Sequence, residues 1–213
     1  RAAFGSRREI ETWITQKRIR VNGKIAQIGD RVNGTDRIIV DGKRFNARRG
    51  AKGGEHRYLL YNKPENEICA KKDPQGRPTV FDKLPPLKHG RWISIGRLDF
   101  NTTGLLLFTT DGDIANQLTH PSSMIEREYA VRVMGRVDSS MIQNMHDGLE
   151  IDGAIYRFTD IQYFGGEGLN RWYHVVVMTG RNREVRKLWE SQGVKVSRLK
   201  RVRFGPIFMP STL

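Results

Sequence analysis

The 213-residue chain is 38% hydrophobic and 28% charged, which excludes disorder throughout. No apolar run approaches the ~20 residues of a membrane span, and a single cysteine, Cys69, excludes an internal disulfide or a cysteine-built metal site and suits a reducing cytoplasm. The net charge of +14 is uneven, since residues 1–54 carry 14 Lys and Arg against 5 Asp and Glu. A positive segment this dense attracts a polyanion, either nucleic acid through counterion release or anionic lipid through surface potential.

In chain order, "FGSRREIETWI" predicts a helix. Ser6 is the N-cap, Glu9 completes a capping box, and Ile10, Trp13 and Ile14 form one apolar stripe. Arg7 and Arg8 sit in the first turn against the helix dipole, which suggests that an anion is expected there. In "KRIRVNGKI", Ile19 and Val21 share one strand face and Arg18 and Arg20 the other, and Asn22-Gly23 makes a tight hairpin turn with Lys24 extending the basic face. "DRIIVDGKRF" predicts another short strand and a turn at Asp41-Gly42. "NARRGAKGGEH" breaks every periodicity and reads as a flexible basic linker.

From about Arg57 the pattern changes to strands and short helices. "RYLLYNKP" is a strand closed at Lys63-Pro64, and "DPQGRPTVFDKLP" an irregular loop with a short helix. "RWISIGRLD" alternates, so that Ile93, Ile95, Arg97 and Asp99 are expected on one face. "GLLLFTT" is apolar on both faces and predicts a central strand, followed by a turn and a helix stopped near Pro121. "EREYAVRV" and "RWYHVVVMTG" predict two further strands, with "GGEGLN" as a hairpin turn. "RNREVRKLWESQG" predicts a helix with Val185, Leu188 and Trp189 inward and Gly193 near its C-cap.

The five histidines are scattered and no Walker-type loop or Ser nucleophile elbow occurs, so a metal site is not expected. Asp99 is the remaining candidate. On turn statistics it caps the Asn-Thr-Thr-Gly turn that follows. On the strand alternation it is partly buried, and a buried carboxylate needs a cation or several donors.

Gly96-Arg97-Leu98-Asp99, followed by Asn101, Thr102, Gly104, Leu105 and Leu106, resembles the catalytic signature of the pseudouridine synthases that modify ribosomal RNA. Residues 1–47 resemble the S4-like RNA-binding domain of one branch of that family. "DPQGRPTVFDKLP", "FTTDGDIANQLTHP", "EREYAVRV" and "GRNREVRKLW" are similar in turn to the blocks of its large-subunit members. Phe100 stands where small or branched residues are more usual, and the chain ends at Leu213, short of the usual basic tail. Because it opens at Arg1 without a Met, trimmed ends of a longer product are expected.

The resemblance implies an α+β architecture: an S4-like domain over 1–47, a linker over 48–56, and a catalytic domain over 57–213 on a mixed, largely antiparallel sheet flanked by helices. It implies isomerisation of uridine to pseudouridine in ribosomal RNA, with Asp99 as nucleophile on a flipped-out uridine and no cofactor or metal. Tyr129 corresponds to the residue that stacks on the target base and takes part in removing the C5 proton, and Arg186 to the one that pairs with the carboxylate and keeps it ionised. Arg97, Asn101 and Thr102 lie by the flipped nucleotide, with Arg183 as a phosphate contact. Arg7, Arg8, Arg18, Arg20 and Lys24 would hold the RNA backbone. The expected partner is a stem-loop or bulged region of ribosomal RNA, met by a monomer in the cytoplasm, free or in a large-subunit assembly intermediate. The competing reading is a non-catalytic RNA-binding assembly factor on the same fold.

Overall fold

The computed structural model describes residues 7–45, 55–88 and 90–210. They fall into two compact units, the first running to His56 and taking in Pro86–Arg91, the second comprising 57–85 and the chain from Trp92. Ser6, the expected N-cap, and most of the expected linker lie outside the described residues.

In the first unit a helix, α1 (Arg7–Thr15), precedes four short strands: β1 (Ile19–Val21), β2 (Lys24–Ile25), β3 (Ile38–Val40) and β4 (Lys43–Phe45), paired in the order β2-β1-β3-β4. Ile10, Trp13 and Ile14 of α1 pack on Ile19, Ala26 and Val40, which is the apolar stripe the sequence predicts. Both hairpins turn through paired left-handed residues, Asn22 (φ 51°) with Gly23 (φ 87°) and Asp41 (φ 49°) with Gly42 (φ 76°). Asn, Asp and Gly tolerate that region best.

The second unit is organised by one mixed sheet. Its strands are β5 (Tyr58–Lys63), β6 (Ile93–Ile95), β7 (Thr103–Thr109), β8 (Arg127–Met134), β11 (Asp160–Glu167), β12 (Asn170–Val177), β13 (Lys195–Phe204) and β14 (Ile207–Phe208). The main path is β11-β12-β8-β13-β7-β5, with β6 beside β7 and β14 beside β13. The β13·β7 pairing is parallel and the other ladders of this sheet are antiparallel. A separate hairpin joins β9 (Leu149–Ile151) to β10 (Ala154–Tyr156).

The helices are α2 (Gly112–Thr119), α3 (Ser139–Asp147) and α4 (Glu184–Ser191). Leu105, Leu106, Leu107 and Phe108 of β7 are all almost fully buried, as expected of a strand apolar on both faces. Leu105 and Leu107 meet Ile95, Ala115 of α2 and Phe204, while Phe108 meets Tyr61 and Phe81 edge to face. Trp189 of α4 packs against Tyr173 and Phe158 on the inner face of the sheet.

Two expectations are corrected. The short helix expected in "DPQGRPTVFDKLP" is a series of turns, with Asp82 N–H donating to Thr79 C=O and Leu84 N–H to Phe81 C=O, because prolines on both sides leave no room for a helical turn to propagate. The alternation of "RWISIGRLD" stops at Gly96 (φ 78°), so Arg97 is exposed, Leu98 buried and Asp99 half-buried. Arg97 and Asp99 therefore do not continue the face of Ile93 and Ile95.

Candidate active site

Asp99 lies in the loop that connects β6 to β7. Its carbonyl accepts the Thr102 N–H at 3.0 Å, which closes a tight turn ahead of β7. The next three carbonyls, those of Phe100, Asn101 and Thr102, all meet cations from distant parts of the chain. Lys63, at the end of β5 and 0% exposed, donates from Nζ to Thr102 C=O at 2.9 Å, to Pro64 C=O at 3.0 Å and to Phe100 C=O at 3.2 Å. Arg186 of α4 donates from Nη2 to Asn101 C=O at 3.1 Å and from Nη1 to Val196 C=O at 3.2 Å.

The expected ion pair between Arg186 and Asp99 is absent. Arg186 is buried, so it is not a solvated helix charge, but its donors go to backbone carbonyls and its Nε has no partner. The Asp99 carboxylate takes part in no hydrogen bond or ion pair with the described residues. It still acts at longer range: burial lowers the pKa of Lys63 and of Arg186, and the negative charge of Asp99 offsets part of that loss in both. The cations thus fix the loop backbone while the carboxylate stays open to a ligand.

Tyr129 stands on β8, 9% exposed, opposite Arg201 of β13 and Val175 of β12. Arg201 is also in register with Gly104 of β7, so Tyr129 and Gly104 flank it on neighbouring strands, roughly 10 Å apart at ordinary strand spacing. A Cβ on Gly104 would fall 2.3 Å from the Arg201 carbonyl oxygen, so this approach of β7 to β13 requires glycine. Arg201 is 1% exposed, donates from Nε to Leu105 C=O at 2.7 Å and leaves Nη2 buried without a partner. Arg127, also buried, donates to Ile125 C=O and Met178 C=O, and burial lowers its pKa.

Four buried cations, Lys63, Arg127, Arg186 and Arg201, therefore sit in this unit. Only Arg186 was singled out by sequence. Lys63 in "YNKP" reads as an ordinary strand end, and the alternation of β13 that would place Arg201 inward is shifted by an irregularity between Val196 and Arg198. Among the described residues no group of three or more His, Cys, Asp or Glu is placed to hold a metal ion, and no helix is long and apolar enough to cross a membrane.

The other predicted residues are more dispersed. Asn101 is exposed and Thr102 buried, with Thr102 Oγ1 unpartnered. Arg183 is an exposed left-handed residue (φ 52°) at the start of α4, 3.5 Å from Glu190. Phe100 lies under the guanidinium of Arg77, 5.8 Å from its centroid, which gives this unusual aromatic a packing partner.

In the first unit Arg8, Arg18, Arg20 and Lys24 are exposed; the side chain of Arg7 lies outside the described residues. Arg18 is already engaged in a fork with Asp41, Nε to Oδ1 at 2.8 Å and Nη2 to Oδ2 at 2.6 Å, with Trp13 beneath it. Arg20 donates to Gly23 C=O at 3.1 Å, whereas Lys24 makes no hydrogen bond or ion pair with the described residues.

A family model described as RNA pseudouridylate synthase matches residues 57–191, and an S4 domain model matches residues 1–38. The chain is 57% identical over 214 residues to the ribosomal large subunit pseudouridine synthase B of Pseudomonas aeruginosa, covering all of this chain and 55% of that protein. It is 54% identical over 215 residues to the protein of the same name from Escherichia coli K12, covering 74% of it. The chain thus spans about half to three quarters of the length of these relatives. A crystal structure of a pseudouridylate synthase superposes with a TM-score of 0.67 at 24% identity, covering 98% of this chain and 86% of that one, and shows the shared fold. The chain belongs to the RNA pseudouridylate synthase family and carries an S4 domain.

Proposed function

We propose that the chain isomerises uridine to pseudouridine in ribosomal RNA of the large subunit, with Asp99 as the nucleophile. The observation that carries this reading is the loop after Asp99. Three consecutive carbonyls are held by Lys63 and Arg186 while the carboxylate itself receives no hydrogen bond from the described residues. A purely structural aspartate would be expected to spend its oxygens on the turn. The names of the relatives supply the substrate class.

The target uridine must leave its stack, at a cost of a few kcal/mol that is lowest in a loop or bulge. Asp99 then attacks the ribose anomeric carbon or C6 of the base. The N1–C1′ bond breaks, the base rotates, C5 bonds to C1′, the bond to Asp99 is broken again so that the carboxylate is regenerated, and the C5 proton leaves while N1 ends protonated, so no atom is gained or lost overall. Tyr129 stacks on the base and takes part in moving that C5 proton. Arg97, Asn101, Thr102 and Arg183 contact the flipped nucleotide and its phosphates. The domain over 1–47 grips a stem-loop or bulged region through Arg7, Arg8, Arg18, Arg20 and Lys24, the segment over 48–56 links it to a catalytic domain over 57–213, and the chain acts as a monomer in the cytoplasm, on free RNA or a large-subunit assembly intermediate.

Incubation with ribosomal RNA tritiated at C5 of uridine tests this. Tritium release is expected from the wild-type chain and not from Asp99→Asn. Equal release from both would exclude Asp99, and none from either, with RNA still bound, would favour a non-catalytic assembly factor.

A further inference from the structure

The mixed sheet has an inner face packed against α4 and an outer face that α2 covers over β7 and that is partly exposed along β12, β8 and β13. Along β8, Tyr129, Val131 and Val133 point inward, and Ala130, Arg132 and Met134 outward. Register places Trp172 of β12 and Arg198 of β13 directly opposite Arg132, and Lys200 opposite Ala130. Phe164, at an irregularity between β11 and β12, lies 4.7 Å from the His174 ring and is 72% exposed, and Met134 is 45% exposed.

The charges on this face are unusual for a merely solubilising surface. Arg132 and Arg198 are cross-strand neighbours of like sign, an arrangement that is destabilising by itself. Arg132 gives Nε to the Ser197 hydroxyl at 2.9 Å and lies 5.9 Å from the centroid of Trp172, and it meets no carboxylate. Arg198 and Lys200 make no hydrogen bond or ion pair with the described residues. Of the acids near this edge, Glu128 is taken up by Arg203 at 2.7 Å and His174 at 2.8 Å, and Glu126 by Arg203 at 2.8 Å.

The geometry points to this outer face as a second RNA-contacting surface on the catalytic unit, one that takes single-stranded RNA. Arg198 and Lys200, two residues apart on one strand, present cations roughly 7 Å apart to successive phosphates. Trp172, across Arg132 and roughly 10 Å from Arg198, and Phe164, farther along against His174, offer rings on which unstacked bases can lie. Three uncompensated cations beside aromatic rings suit a polyanion with π-faces better than an apolar protein partner. The inference rests on the proposed function only in taking RNA as the polyanion.

The test uses the full chain and a single-stranded RNA of about twelve nucleotides containing only A and C, which offers no uridine to the Asp99 site. Arg198→Gln/Lys200→Gln removes two side chains that hold nothing in the fold, and is expected to weaken binding and reduce the slope of log K against log salt by about 1.4. Trp172→Ala is expected to weaken it about tenfold. Tritium release from saturating ribosomal RNA is expected to be unchanged in both. Unchanged affinity and slope in both variants would overturn the inference, as would loss of binding to an acidic polyglutamate peptide with RNA binding intact. A wild-type chain that releases no tritium, with both variants impaired on the oligonucleotide, would sink the proposed reaction and leave the RNA surface standing.

Discussion

The ammonium of Lys63 lies 2.9 Å from the carbonyl of Thr102, across 39 residues of sequence, and it reaches the Phe100 carbonyl with the same group. Replacing Lys63 by Met keeps the length and removes the donors. Three carbonyls lose a partner and one buried charge disappears, so Lys63→Met should cost about 2–4 kcal/mol. Chemical denaturation measures this, and a single-turnover rate that falls together with stability is expected because the Asp99 loop loses its anchor.

Gly104 and Gly96 separate conformational from steric demand. Gly96 (φ 78°) faces open space, so Gly96→Ala should cost about 1 kcal/mol from backbone strain alone. Gly104→Ala must also push β7 away from β13, and should cost about 3 kcal/mol or more. Thermal melts of the two variants side by side would check the ranking.

Glu128 gives a pH dependence with a definite sign. Burial works to raise its pKa, but hydrogen bonds from Arg203 and His174 outweigh that and hold it below its ordinary value of 4.5. A lowered carboxylate pKa contributes stability above the ordinary value and loses it as pH falls through the folded one. Glu128→Gln should therefore be less stable than wild type by about 1–2 kcal/mol near neutrality, with the gap closing as the pH falls through the lowered pKa of Glu128. Urea melts at several pH values would reveal it.

Asp41 neutralises the Arg18 guanidinium through both oxygens. If Arg18 is a phosphate contact, that fork competes with RNA. Asp41→Asn retains a residue that tolerates the left-handed turn and should steepen the salt dependence of RNA binding by about 0.7–0.9. Filter binding at several salt concentrations decides it, and an unchanged slope would show that Arg18 does not reach phosphate.

Much of the scaffold was legible because it depends on local pattern. The doubly apolar β7, the alternation of β8 and the α4 stripe follow from side-chain periodicity, and the two hairpins from Asn-Gly and Asp-Gly. The site was less so. The break at Gly96 ends the alternation that put Arg97 and Asp99 on the face of Ile93 and Ile95, and the irregularity near Ser197 hides Arg201 from any count by twos. Lys63 is recognisable only when β5 is seen beside the loop of Asp99, a contact no local window contains. Asp99 was singled out by elimination and its role, like Arg186, by resemblance, and the bond expected between them was replaced by one to the Asn101 carbonyl.

That replacement bears on how much must be undone before a reaction can begin. A carboxylate clamped by a guanidinium would have to give up a strong charge-assisted contact as it moved toward carbon. Here the clamp grips the peptide groups instead, so the local dipoles are already oriented when folding is complete. On the proposed reaction, an arriving nucleoside would meet an acid that has no bond to the described residues to exchange.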